Sequence, residues 1–230
     1  MKNKIKVICF DADDTLWVNE PYFREIERKF CILLNDYMEP EHCQAELFKV
    51  EMQNLELYGY GVKGFMLSMI EAAVKFSNSK IPNDTISEII NLGKNLLDEP
   101  IELLDEVENA LQSLQNDYRL IMATKGDLLD QERKLRKSKL ESYFHHIEIM
   151  SDKKIYNYQK LLNHLDIAPD EFVMVGNSIK SDILPVLELG AYAVHVPYHT
   201  VWQHEHAEID AARYKRFKTI SKLSELKQIL

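Results

Sequence analysis

Three acidic side chains, Asp11, Asp13 and Asp14, follow directly behind an apolar run at residues 5–10. Asp11 and Asp13 stand two residues apart. In extended chain with tight backbone around it, such a pair suits a hard divalent cation such as magnesium, which prefers oxygen ligands and keeps several waters. The plain alternative is a solvated acidic turn. Three acids crowded behind a buried strand fit that alternative less well, because their mutual repulsion needs compensation. Other candidate residues close later apolar runs: Thr124, Lys125 and Gly126, then Lys153 and Lys154, then Asn177 and Asp182. Taken singly each is ordinary. Threonine favours strands and turns, and a lysine pair is most simply a surface patch.

The elements that must position these residues are legible. Residues 5–10 are β-branched and apolar, as expected for a strand buried on both faces. Residues 119–123, 172–175 and 191–196 read the same way, and 147–150 does so more weakly. Helical patterns lie between them: Val107, Leu111 and Leu114 share one face, and Tyr158, Leu161, Leu162 and Leu165 another. Strands and helices in alternation imply an α/β fold, a Rossmann-like doubly wound parallel sheet with helices on both faces. In such a sheet ligands bind beyond the carboxyl ends of the strands, where Asp11 and Asp13 stand.

Residues 17–97 break this rhythm and read as consecutive helices. Phe23, Ile26, Phe30, Leu33 and Tyr37 form one apolar stripe, and Phe65, Met69, Ala72 and Phe76 another. Pro40 and Pro82 sit where helices begin, and Gly59-Tyr60-Gly61 marks a turn. A helical block after the first strand reads as an inserted all-α cap domain over 17–97, with 1–16 and 98–230 forming the core. Tyr60 and Lys63, in the loop around that turn, are candidates for substrate contact. Residues 220–230 read as a closing helix with Leu223, Leu226 and Leu230 on one face.

Asp11-Ala12-Asp13-Asp14-Thr15-Leu16 resembles the first motif of the haloacid dehalogenase superfamily, Asp-x-Asp-x-Thr followed by an apolar residue. Three further motifs stand in the family's order. Thr124 occupies the place of the strand-terminal Ser or Thr. Lys153 and Lys154 both fit the lysine of the third motif, Lys153 the better. The segment 172–182, Phe-Val-Met-Val-Gly-Asn-Ser-Ile-Lys-Ser-Asp, is similar to the fourth, with Asn177 where the family more often has Asp. The resemblance runs from residue 5 to about 197 and includes a helical cap between the first and second motifs.

The resemblance implies a magnesium-dependent phosphatase of a small phosphorylated metabolite. Asp11 would attack phosphorus and become an aspartyl phosphate; Asp13 would protonate the leaving alcohol and then deprotonate water. Thr124, Lys125, Gly126 and Lys153 would hold the phosphoryl group. Asp11, the Asp13 carbonyl, Asn177 and Asp182 would form the Mg2+ site, with direct ligation by Asn177 or by Asp182 open. Asp14 reads as a local structural residue. Family dehalogenases lack the second aspartate, having no alcohol to protonate, so Asp13 argues against dehalogenation. A phosphomutase shares both acids and is the nearer alternative; a non-catalytic phosphate-ligand-binding protein is the remote one.

Composition narrows the partners. The net charge is −9, with no long basic run, which disfavours a nucleic acid polymer. No apolar run reaches the roughly 18 residues of a membrane helix, and the stretch after the basic start is too short for a secretory signal. Cys9, Cys31 and Cys43 are odd in number and show no metal-type spacing, as expected of free thiols in the cytoplasm. His195, His199, His204 and His206 match no common zinc spacing. The sequence is silent on oligomeric state.

Overall fold

The computed structural model describes residues 4–230; Met1, Lys2 and Asn3, part of the basic start, lie outside the described residues. In chain order the main elements are β1 (Val7–Phe10), α1 (Glu20–Leu33), α2 (Pro40–Tyr58), α3 (Val62–Phe76), α4 (Asn83–Asp98), α5 (Val107–Leu114), β2 (Arg119–Lys125) and α6 (Leu128–Ser138). There follow β3 (His146–Met150), α7 (Ile155–Leu165), β4 (Phe172–Gly176), α8 (Leu184–Glu188), β5 (Tyr192–His195), β6 (Phe217–Thr219) and α9 (Leu226–Ile229).

The six strands among the described residues are all parallel, in the order β3-β2-β1-β4-β5-β6. β1 is central, and its side chains alternate between two cores, as a period-two strand must. Val7 and Cys9 pack with Tyr158, Leu161 and Leu162 of α7. Ile8 and Phe10 pack on the opposite face with Ala110, Leu111 and Leu114 of α5 and Leu226 of α9. Helices on both faces make the sheet doubly wound and leave the carboxyl ends of the strands to carry polar groups. The edge strand β6 is not signalled in the sequence, because its short Phe-Lys-Thr run is mostly exposed and carries a lysine. The expected closing helix over 220–230 is shorter than read: Leu223–Glu225 form a 3-10 turn before a single turn of α9. Leu223, Leu226 and Leu230 are nonetheless all buried.

The chain divides into two compact units. The first, which carries the sheet, runs to Glu20 and then comprises Ile101–Lys125 and Glu132–Leu230; the second comprises Pro21–Pro100 and Gly126–Gln131. Residues 16–18 stay with the sheet unit because Val18 N–H donates to the Glu102 carbonyl and Leu104 N–H to that of Leu16. The second unit has its own core, in which Phe30, Leu34, Leu47, Met69, Ala72 and Ile89 are fully buried. Pro40 opens α2 and Pro82 directly precedes α4, where proline's fixed φ and missing N–H are harmless. Among the described residues no helix is long and apolar enough to cross a membrane.

Candidate active site

Because β1, β2 and β4 run side by side in the same direction, the residues after their last apolar positions gather at one end of the sheet. Asp11 follows Phe10 directly, and its N–H donates to the Val175 carbonyl on β4 at 2.9 Å. Beyond it the chain folds into a tight turn. The Thr15 and Leu16 N–H groups donate to the Ala12 carbonyl, and Asp14 N–H donates to that of Trp17 at 2.7 Å. Asp14 takes a left-handed φ of 59°, and its carboxylate accepts the N–H groups of Asn19 and Glu20 at about the start of α1. Asp14 is therefore a turn-and-cap residue.

Asp11, Lys153 and Asp182 form a buried ion triad, with only 7%, 3% and 1% of their surfaces exposed. The Lys153 ammonium donates to Asp11 Oδ1 and, at 2.7 Å, to Asp182 Oδ1. The other Asp182 oxygen accepts Ser178 N–H at 3.0 Å. Burial raises Asp11 to about 7, with the neighbouring Asp182 charge adding to the rise and Lys153 opposing it. Burial would lower Lys153, but Asp11 and Asp182 outweigh it and hold the ammonium above its ordinary value. Lys154, by contrast, has a side chain 78% exposed and pairs with Asp152 at 2.8 Å.

Thr15 links the triad to the fourth segment. Its hydroxyl lies 3.2 Å from Asp11 Oδ2 and 3.3 Å from Asn177 Oδ1, and it accepts Asn177 N–H at 3.1 Å. His195, at the end of β5, places Nε2 3.0 Å from the Asn177 carbonyl. Gly176 permits this crowding: a Cβ there would lie 2.3 Å from Asp182 Oδ2 and 2.7 Å from its Cβ. Gly176→Ala should therefore dislodge the Asp182 carboxylate and destabilise the fold by about 1–3 kcal/mol. Thermal melting checks this; a variant that melts with the wild type would show that the contact relaxes freely.

Thr124 and Lys125 end β2, and Gly126 follows at φ 130°, where a Cβ would meet the Gln131 side chain at 2.9 Å. Thr124 is buried, with its hydroxyl 3.4 Å from the Lys125 carbonyl. The Lys125 ammonium binds Ser181 Oγ at 2.9 Å and Glu205 Oε1 at 2.6 Å. Glu205 also accepts the hydroxyls of Ser178 and Ser181. Burial opposes its ionisation, yet Lys125 and the two hydroxyls hold it down to about 2. Asp13 turns its carboxylate to Trp17 and Lys134. Lys63 in the helical unit binds both oxygens of Asp127, at 2.9 and 3.0 Å.

A model of haloacid dehalogenase-like hydrolases matches residues 5–190, a span that holds every one of these residues except Glu205 and His195. The chain belongs to that family. It is 24% identical over 213 residues to human N-acylneuraminate-9-phosphatase, covering 87% of this chain and 83% of the relative. Glyceraldehyde 3-phosphate phosphatase of Pyrococcus furiosus is 24% identical, with 99% and 93% covered. The crystal structure of a haloacid dehalogenase-like family hydrolase from Xanthomonas campestris superposes with a TM-score of 0.88 at 33% identity, covering 98% of this chain and 94% of that one.

Among the described residues no three His, Cys, Asp or Glu side chains cluster as a metal site, so a cation here would need amide or carbonyl oxygens. Those are present. Asp11 Oδ2 and Asn177 Oδ1 converge on one hydroxyl, and the triad's two carboxylates and one ammonium leave a net negative charge in a dry place. An all-oxygen donor set with uncompensated charge fits a hard cation. Reasoning from sequence missed Thr15, Lys134 and Glu205 as parts of this neighbourhood, and left Trp17 open between lining the cleft and packing between elements. Only Thr15 had a signal, its place in the first motif; Lys134 is one of several basic residues on α6, and Glu205 lies in a segment without pattern.

Proposed function

We propose that this hydrolase is a magnesium-dependent phosphatase of a small phosphorylated metabolite, with Asp11 as the covalent nucleophile. The observation that carries the reading is the buried contact of Asp11 with Lys153, backed by Asp182. A carboxylate kept next to an ammonium in a dry site is poised to approach an anionic phosphoryl group, because the ammonium offsets the charge that would repel it. Asp13, Thr124 and Lys125 lie at the same end of the sheet. The phosphatase relatives support a small phosphate monoester as substrate, and the free, buried thiols of Cys9, Cys31 and Cys43 support a cytoplasmic setting.

In this mechanism an Asp11 oxygen forms a bond to phosphorus as the bond from phosphorus to the ester oxygen breaks, and Asp13 gives that oxygen its proton. Water then attacks the aspartyl phosphate. Asp13 takes the proton from the water, the acyl phosphate P–O bond breaks, and Asp11 is regenerated with release of inorganic phosphate. Lys153 balances the phosphoryl charge in both steps, and the Thr124 hydroxyl donates to a non-bridging oxygen. Mg2+, held by Asp11, the Asp13 carbonyl and Asn177, would neutralise further phosphoryl charge when bound. Asp182, with both oxygens engaged by Lys153 and Ser178, orients the lysine and would add its negative charge to the cation's surroundings.

The reading is tested by hydrolysis of p-nitrophenyl phosphate with magnesium and with a chelator. Release of p-nitrophenol that depends on magnesium supports it; equal release under chelation, or none in either condition, refutes it. The cation should also compete with a proton. Asp11 titrates at about 7, so below that pH binding must displace its proton, and the apparent dissociation constant should rise about tenfold per pH unit. Above pH 7 it should level off. Calorimetric titration with Mg2+ between pH 5.5 and 8.5 reads this directly, and a flat profile would remove Asp11 from the ligand set.

A further inference from the structure

Two side chains that the mechanism above does not use converge on its acid–base residue. The Trp17 indole N–H donates to Asp13 Oδ1 at 2.7 Å, and the Lys134 ammonium donates to the same oxygen at 3.0 Å. Both donors are themselves fixed. Trp17 is fully buried, its carbonyl accepts Asp14 N–H, and it is bridged to Leu103. Lys134, on α6, is further tied to Asn19 Oδ1 at 2.6 Å, and its side chain is only 14% exposed. An aspartate in a surface turn ordinarily samples several rotamers. Here two N–H donors from different elements meet on one oxygen, which fixes both the swing and the plane of the carboxyl group.

We propose that Trp17 and Lys134 are positioning residues that hold the Asp13 carboxyl in the orientation required to protonate the leaving group. This rests on the reading of Asp13 as the general acid, and its consequence is specific. A poor leaving group departs only if a proton arrives at the right place, whereas p-nitrophenolate departs as a stable anion without one. Loss of positioning should therefore penalise esters of poor leaving groups selectively.

The test compares kcat/KM for p-nitrophenyl phosphate and phenyl phosphate, two esters of similar shape, in the wild type, Trp17→Phe, Lys134→Met and Lys134→Arg. kcat/KM reports the step in which the ester bond breaks. In Trp17→Phe and Lys134→Met the ratio of p-nitrophenyl to phenyl activity should rise by about tenfold or more, within the range that general acid catalysis contributes. Lys134→Arg, which keeps an N–H donor, should return the ratio toward the wild-type value. Lys134→Met carries the test even if removal of the buried indole unfolds the protein. A ratio that stays constant while both activities fall would mark the two residues as merely structural and overturn the assignment. A wild type that cleaves neither ester would overturn the phosphatase reading, and this inference with it.

Discussion

Asp11→Asn is expected to lower phosphate release by about 10⁴-fold or more while the protein stays folded. The amide keeps the shape of the side chain and can still accept a hydrogen bond from Lys153, but it is a far poorer nucleophile than a carboxylate. Stability should change little, because the substitution removes one of two carboxylates that share a single ammonium. Lys153 keeps its 2.7 Å contact with Asp182, and the buried group passes from a net negative charge to neutrality. The measurement is single-turnover hydrolysis of p-nitrophenyl phosphate in magnesium, with intact-mass detection of a phosphoryl adduct in acid-quenched samples. The wild type should show the adduct and the variant none. Turnover by the variant within tenfold of the wild type would mean that water attacks phosphorus directly, with Asp11 only a charged bystander.

Lys153→Met should have the largest effect on stability. The methionine fills similar volume, but it leaves Asp11 and Asp182 facing each other in a dry site without a cation. Breaking a buried ion pair by removing one partner costs about 3–5 kcal/mol, a large share of the 5–15 kcal/mol typical of a folded domain. The loss should depend on pH in a definite sense. Burial and Asp182 already raise Asp11 to about 7 in the presence of the lysine, against 3.8 for the free side chain. Without the lysine, which opposes the rise, the Asp11 carboxyl is pushed higher still. A carboxyl whose folded pKa lies above its unfolded value favours the folded state most at low pH, and that favour is lost as pH rises through the folded pKa. Urea unfolding should therefore show the full deficit at pH 8 and a much smaller one at pH 5. A deficit below about 1 kcal/mol at pH 8 would mean that water or a relaxed backbone solvates the pair. Activity should fall with stability, since the phosphoryl charge would lose its buried counter-ion.

The two lysines show where reading a sequence stops. Lys153 and Lys154 are neighbours with identical chemistry, and one-dimensional order does not decide which of them turns inward. The register of β3 on β2 and the entry into α7 decide it, burying Lys153 and leaving Lys154 at the surface. Asn177 and Asp182 pose the same problem. Their types suggested that either could touch a cation; the fold pairs Asp182 with Lys153 and Ser178, and Asn177 with the Thr15 hydroxyl.

What the sequence by itself determined was whatever depends on local pattern. Alternating buried strands and amphipathic helices specified a doubly wound parallel sheet, because period and burial follow directly from side-chain type. The acidic turn after the first strand marked the carboxyl end of the sheet, the end beyond which ligands gather in parallel sheets. The tertiary structure alone decided which side chains from distant segments share an atom. Trp17 and Lys134 meet on one oxygen of Asp13 across more than a hundred residues of chain, and Glu205 joins Lys125, Ser178 and Ser181. Such contacts leave no periodic trace. They depend on the packing of α6 and of the segment after β5 against the sheet, which is a property of the whole core and of no single run of residues.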